Sequence, residues 1–155
     1  MKKTILCLAI LLIFGTLLAE SVQLNNFEEL MDALKQGERV RVIIHYGQCQ
    51  LINNNEIKES SPDAIGGMNI DTFEYFAPMS IGNPTAFVAF SHASLINLRG
   101  FVYNYAKFRV NADNTVKMTA QYAEPNTFEL DMNENFFTEI NNGKNEGACY
   151  FYKLD

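Results

Sequence analysis

The chain has 155 residues, 12 Lys and Arg against 18 Asp and Glu for a formal charge of −6, and 48% hydrophobic residues. At roughly 100–200 residues per domain this is one domain, too apolar and too weakly charged to be disordered. The acidic balance excludes a nucleic-acid binder, whose affinity rests on clustered Lys and Arg against phosphate.

Lys2 and Lys3 precede an almost wholly apolar, uncharged run from Thr4 to Leu18, and small Ala19 stands before Glu20. About 15 residues fall short of the roughly 20 that a helix needs to cross a bilayer core. The segment therefore reads as a secretory leader, residues 1–19, cleaved after Ala19. The expected product is a single domain, residues 20–155, that is secreted or periplasmic and has no membrane contact once the leader is gone.

Cleavage removes Lys2, Lys3 and Cys7, leaving 136 residues, a charge of −8 and two cysteines, Cys49 and Cys149. In an oxidising compartment an even pair is expected to form a disulfide. Closing a loop of about 100 residues would contribute up to about 4.7 kcal/mol in the chain-entropy account. The competing reading makes Cys49 a reactive nucleophile.

The first element of the mature chain is a helix. Asn26 can cap it and Glu29 lies three residues on, while Phe27, Leu30, Met31 and Leu34 repeat at i, i+3, i+4 and i+7. Lys35 lies in the last turn and Gly37 supplies the stop. Beyond it the periodicity changes to two. Val40, Val42, Ile44 and Tyr46 alternate with Arg39, Arg41, Ile43 and His45. Residues 53–62 read as an exposed loop. Strands are then expected over Met68–Phe76, Thr85–Ser91, Phe101–Val110 and Thr115–Tyr122, with Asn111–Asn114 as a hairpin turn. Thr127–Met132, Phe136–Ile140 and Ala148–Lys153 complete the set. The expectation is a mainly β protein with one N-terminal helix and about eight short strands in an antiparallel, barrel-like sheet, although periodicity alone leaves barrel and sandwich open.

The residues that carry chemistry are few. His45 and His92 are the two histidines, and no HExxH, CxxC or His-x-His accompanies them, so no metal and no cofactor are expected. Ser91 and His92 are adjacent on a strand and point to opposite faces, so they cannot form a nucleophile–base pair with each other. The tyrosines are more suggestive. Tyr75, Tyr103, Tyr105 and Tyr122, with Arg109, would line a pocket if they face inward and a contact surface if they face outward. They could also simply fill the core of a chain that has no Trp.

The stretch from Phe27 through Pro125 resembles the VirK family of small exported proteins. The resemblance is carried by Leu34-Lys35-Gln36-Gly37-Glu38-Arg39-Val40-Arg41-Val42, Cys49, Gly66-Gly67-Met68-Asn69-Ile70-Asp71, Phe87-Val88-Ala89-Phe90-Ser91, and Phe108-Arg109-Val110 with a polar turn and Val116. The chain departs from the family pattern in its Asn-rich loop and in the tail after Pro125, Cys149 excepted. The family's biochemical activity is not established, so the resemblance implies no catalytic residue. The expected function is that of a monomeric, disulfide-stabilised binding or accessory protein for a small apolar ligand or a protein partner. The alternative is a hydrolase or metal-dependent enzyme using His45 and His92.

Overall fold

The computed structural model describes residues 21–53 and 56–154. The leader expected over residues 1–19 lies outside them. Among the described residues no helix is long and apolar enough to cross a membrane.

The helix forms where its caps and its apolar stripe coincide. α1 spans Phe27–Lys35. At its start the Asn26 side chain accepts from the Glu29 N–H at 2.9 Å. The Glu29 carboxylate reaches back to the Asn25 N–H at 2.7 Å, one residue before the cap. At its end Gly37 takes a φ of +74°, where a Cβ would be strained. There Glu38 N–H reaches Ala33 O and Gly37 N–H reaches Leu34 O, both at 3.1 Å. These two bonds satisfy carbonyls that the helix would otherwise leave unpaired. The stripe Phe27, Leu30, Met31 and Leu34, with Ala33, is buried in the core.

The strands are β1 (Val22–Leu24), β2 (Arg39–His45), β3 (Gln50–Asn53), β4 (Glu56–Ile57), β5 (Ile65–Asn69), β6 (Glu74–Phe76), β7 (Phe87–Asn97), β8 (Phe101–Asn111), β9 (Thr115–Ala123), β10 (Leu130–Glu139) and β11 (Cys149–Leu154). They form two sheets, ordered β1-β11-β2-β5 and β4-β3-β10-β9-β8-β7-β6. All pairs of named strands are antiparallel. The chain is thus mainly β with one helix, as the periodicity implies, but the sheets do not close into a barrel. The chain changes sheet between β2 and β3, between β4 and β5, between β5 and β6, and between β10 and β11, so two layers face each other across one core.

Burial follows the alternation. In β2, Val40, Val42 and Ile44 are buried while Arg39 and Arg41 are exposed. Facing them from the larger sheet are Val88 and Phe90 of β7, Phe108 and Val110 of β8, Val116 and Met118 of β9 and Phe136 of β10. Asn114 fastens the helix to this layer. It sits at φ +71° in the β8–β9 turn, and its side-chain oxygen accepts from the Phe27 N–H at 2.7 Å.

Four expected strands differ in extent. The stretch Met68–Phe76 is two strands on different sheets, because Ile70 turns into the core between them and donates to Val40 O. Thr127–Met132 and Phe136–Ile140 are largely one strand, β10, with a bulge between Leu130 and Met132. β7 runs to Asn97 rather than ending at Ser91.

Candidate functional site

The register of the larger sheet aligns its inward side chains in rungs. Val88, Val110, Val116 and Thr138 form the first, and Phe90, Phe108, Met118 and Phe136 the second. Both lie where the smaller sheet covers them. β7, β8 and β10 each have ten or eleven residues, against seven in β2 and five in β5, so the long strands overhang. The third rung is His92, Ala106, Ala120 and Glu134, and the fourth is Ser94, Asn104, Tyr122 and Met132.

That composition makes a hollow. Two alanines stand side by side in the third rung and leave the space above the sheet unfilled. On the opposite wall β5 presents Gly66 and Gly67. A Cβ on Gly66 would come within 2.7 Å of the Tyr46 hydroxyl and 2.9 Å of its ring, so glycine there admits the phenol to the wall. The Tyr46 ring rests edge-on against Phe136, 4.8 Å between centroids. The result is a cleft of about 690 Å³ between the sheets. Its floor is Ile44, Phe108, Met118 and Phe136, and Met68 and Met132 flank it.

Polar groups ring the opening. His92, Ser94 and Asn104 lie toward β7 and β8, and Tyr122 and Glu134 toward β9 and β10. At about 4.8 Å per strand, His92 and Glu134 stand roughly 14 Å apart across the third rung. The cleft can therefore enclose an apolar body while offering hydrogen bonds and one carboxylate at its rim.

The expected site residues separate into distinct places. Tyr122 lines the cleft. Tyr103, Tyr105 and Arg109 belong to the outward register of β8, on the opposite face of the sheet. There Arg109 lies 3.8 Å from the Phe87 ring centroid and donates to Asn111 at 2.9 Å, while Tyr103 stacks on Phe128. Tyr75 pairs with Val88 at the sheet edge, with the Lys35 ammonium 5.3 Å from its ring. The histidines are apart as well. His92 is in the cleft, whereas His45 is on the outer register of β2 beside Tyr150, 5.2 Å away. A site that needs both histidines together is not assembled. Among the described residues no three His, Cys, Asp or Glu side chains converge as metal ligands.

The expected bridge between Cys49 and Cys149 is not formed in the structure, in which both are free and buried. Cys49 follows the 3-10 turn Tyr46–Gln48 and donates its thiol to the His45 carbonyl at 3.3 Å. Cys149 stands opposite Ile44 in the smaller sheet and has no exposed surface. Burial pushes the Cys49 thiol up to about 11, and burial, then Cys49 beside it, pushes Cys149 well above the usual thiol range. Tyr46 is raised to about 12, first by burial and then by Cys49, Tyr122 and Cys149 around it. A thiol held neutral in this way is a poor nucleophile, which removes the physical basis for a reactive Cys49.

These shifts have a sign. Each group holds its proton in the folded state at a pH where the unfolded chain has lost it, so the unfolded state gains as pH rises. The contribution of these groups to stability is expected to be level below about pH 9 and to fall between pH 9 and pH 12, the range spanned by the ordinary and raised values. Thermal unfolding against pH checks this. In the native state both thiols should resist a thiol reagent at about pH 8 and react only on unfolding.

Sequence reasoning misses Asn104, Ser94, Glu134 and Tyr46. The usable signal is a polar residue in an apolar register. Asn104 shares its register with Val102, Ala106, Phe108 and Val110, and Glu134 with Met132 and Phe136.

The family profile described as VirK protein matches residues 23–128. A solved structure, that of lpg1832, a VirK family protein from Legionella pneumophila, is similar with a TM-score of 0.62 and 16% identity. The match covers 84% of this chain and 98% of that one. At that identity the likeness concerns the fold. No curated protein matches this chain.

Proposed function

The chain belongs to the VirK family, and we propose that it is an exported binding protein whose inter-sheet cleft takes a small, mainly apolar molecule with a polar end. The observation that carries this reading is the adjacent pair Ala106 and Ala120 lining a cleft of about 690 Å³. Ligand sites are commonly apolar concavities of about 300–1,000 Å³ with a few placed polar groups. The methionines Met68, Met118 and Met132 favour a ligand of variable shape, because an unbranched thioether adapts to what it touches. The rim supplies His92, Ser94, Asn104, Tyr122 and Glu134 to hold the polar end.

Export is the second half of the proposal and rests on Lys2, Lys3, the apolar run that follows and Ala19 before Glu20. The test is to express the full chain in a bacterial host, recover it from the periplasm or medium, and record its native mass spectrum. The expected result is a chain beginning at Glu20 with an added mass of a few hundred daltons that is lost on denaturation. Protein retained inside the cell with Met1 in place would overturn export. An exported chain that carries no added mass and takes none up from an apolar extract would overturn the binding role.

A further inference from the structure

The strand β7 has two unequal sides. Along one it pairs with β8 over its whole length, Phe87–Asn97. Along the other it pairs with β6 only at Phe87, Val88 and Ala89. Among the described residues nothing pairs with the remaining side of Ser91–Asn97. Ser91, His92, Ala93, Leu95 and Asn97 are exposed, and Ser94 and Ile96 are half-buried. Such an edge presents a row of backbone donors and acceptors that only another extended chain can match in register.

An edge meant to stay single is usually guarded by Lys, by Pro, by a bulge or by a covering loop. Ser91–Asn97 contains no Lys, Arg, Asp, Glu or Pro, and its pairing with β8 runs without a register shift. We propose that this stretch pairs with the same stretch of a second copy of the chain, antiparallel, about a two-fold axis at Ser94.

Three features favour a second copy as the occupant. First, a two-fold axis sets a strand against itself, so any charge along it would meet a like charge or its mirror partner; this strand brings none. Second, the axis joins exposed apolar groups at both ends. Phe73, 37% exposed, leads into β6, and β6 stops opposite Ala89. The second copy's strand continues the line that β6 leaves, so its Leu98, 56% exposed, arrives beside Phe73. Third, the pairing extends the cleft. His92, Ser94 and Ile96 share the inward register, and about Ser94 the second copy's Ile96 falls opposite His92. Each copy thus adds an apolar side chain to the rim of the other's cleft. The sequence leads to the expectation of a monomer, and the free edge is the observation that points instead to a pair. The inference does not depend on the cleft having a ligand.

The test is sedimentation equilibrium of the chain from low to high micromolar concentration, with two double variants. Ala93 and Leu95 point out of the sheet, away from the cleft, and about Ser94 each lies opposite the other residue of the second copy. The wild type is expected to reach twice the single-chain mass. Ala93→Lys with Leu95→Lys sets lysine against lysine and should leave monomers. Ala93→Lys with Leu95→Glu sets lysine against glutamate and should restore the pair. Circular dichroism is expected to be the same for all three. A wild type that stays monomeric, a pair that survives the two lysines, or a Lys/Glu variant that stays monomeric would each overturn the proposal.

Discussion

Replacing Phe108 by Ala is expected to destabilise the fold by about 3–5 kcal/mol. Phe108 is 2% exposed, stacks on Phe90 at 5.1 Å between centroids, and pairs across the sheet with Met118. It lies in the rung where the two sheets meet, so its removal leaves a void that neither sheet can close without moving its neighbours. A domain of this size has about 5–15 kcal/mol of stability to begin with. The melting temperature should fall by roughly 10–20 °C. Tyr103→Ala removes an aromatic ring from the same strand on the opposite face, where it touches Phe128. There the cost should be about 1 kcal/mol or less. Calorimetry on the two variants separates the faces, and equal losses would contradict the assignment of the core.

Ala120→Phe is the second large effect, and it acts on binding rather than on folding. Ala120 lies between Ala106 and Glu134 in the third rung, 8% exposed under the cleft. A phenyl group there enters the hollow that the two alanines leave. Filling an existing hollow should change stability by no more than about 1 kcal/mol, at the low end of the roughly 1–3 kcal/mol that overpacking a closed core costs. Affinity for an apolar ligand should fall by about tenfold or more, a loss of about 1.4 kcal/mol or greater. Gln121→Phe, one residue on and facing the other way, should leave binding unchanged. Titration with a fluorescent naphthylamine probe reads both variants.

Much of the fold is legible in the sequence because local and global preferences agree. The helix has cap, stripe and glycine stop in one short segment. β2 alternates cleanly because one face is buried and the other carries Arg39 and Arg41. The β8–β9 hairpin falls at the expected turn because Asn114 tolerates a positive φ. What the sequence hides is the point at which the chain leaves one sheet for the other. Nothing local distinguishes Ile70, turning inward between β5 and β6, from a residue in a continuous strand. β10 is hidden for a different reason. Asn133-Glu134-Asn135 reads as a polar break, yet its residues alternate between the outer face and the cleft rim. Strand ends beyond the covering sheet also lose their alternation, which is why β7 extends past Ser91 unseen.

The site was legible only in part, since its defining feature is missing volume. Tyr122 is conspicuous as an aromatic on a strand, whereas Ala106 and Ala120 carry no chemistry and matter because they are small and adjacent across two strands. Their adjacency depends on register, and register depends on the whole sheet. The tyrosines at 103 and 105 were set aside from the cleft by the same parity that places Asn104 inside it. The disulfide expectation rests on an even pair of cysteines in an oxidising compartment, and that count says nothing of how Cys49, after its 3-10 turn, and Cys149, in β11, are each buried.

Methionine methyl groups give the most direct test of the cleft. Three of the six methionines, Met68, Met118 and Met132, line it. Met31 is buried on the helix and Met79 is 71% exposed on the loop after β6, so both report on places away from it. Methyl-labelled protein titrated with the naphthylamine probe should show saturable NMR shifts at Met68, Met118 and Met132, with Met31 and Met79 unmoved. Shifts confined to Met79, or no saturable shift at the three cleft methionines, would contradict a binding site between the sheets.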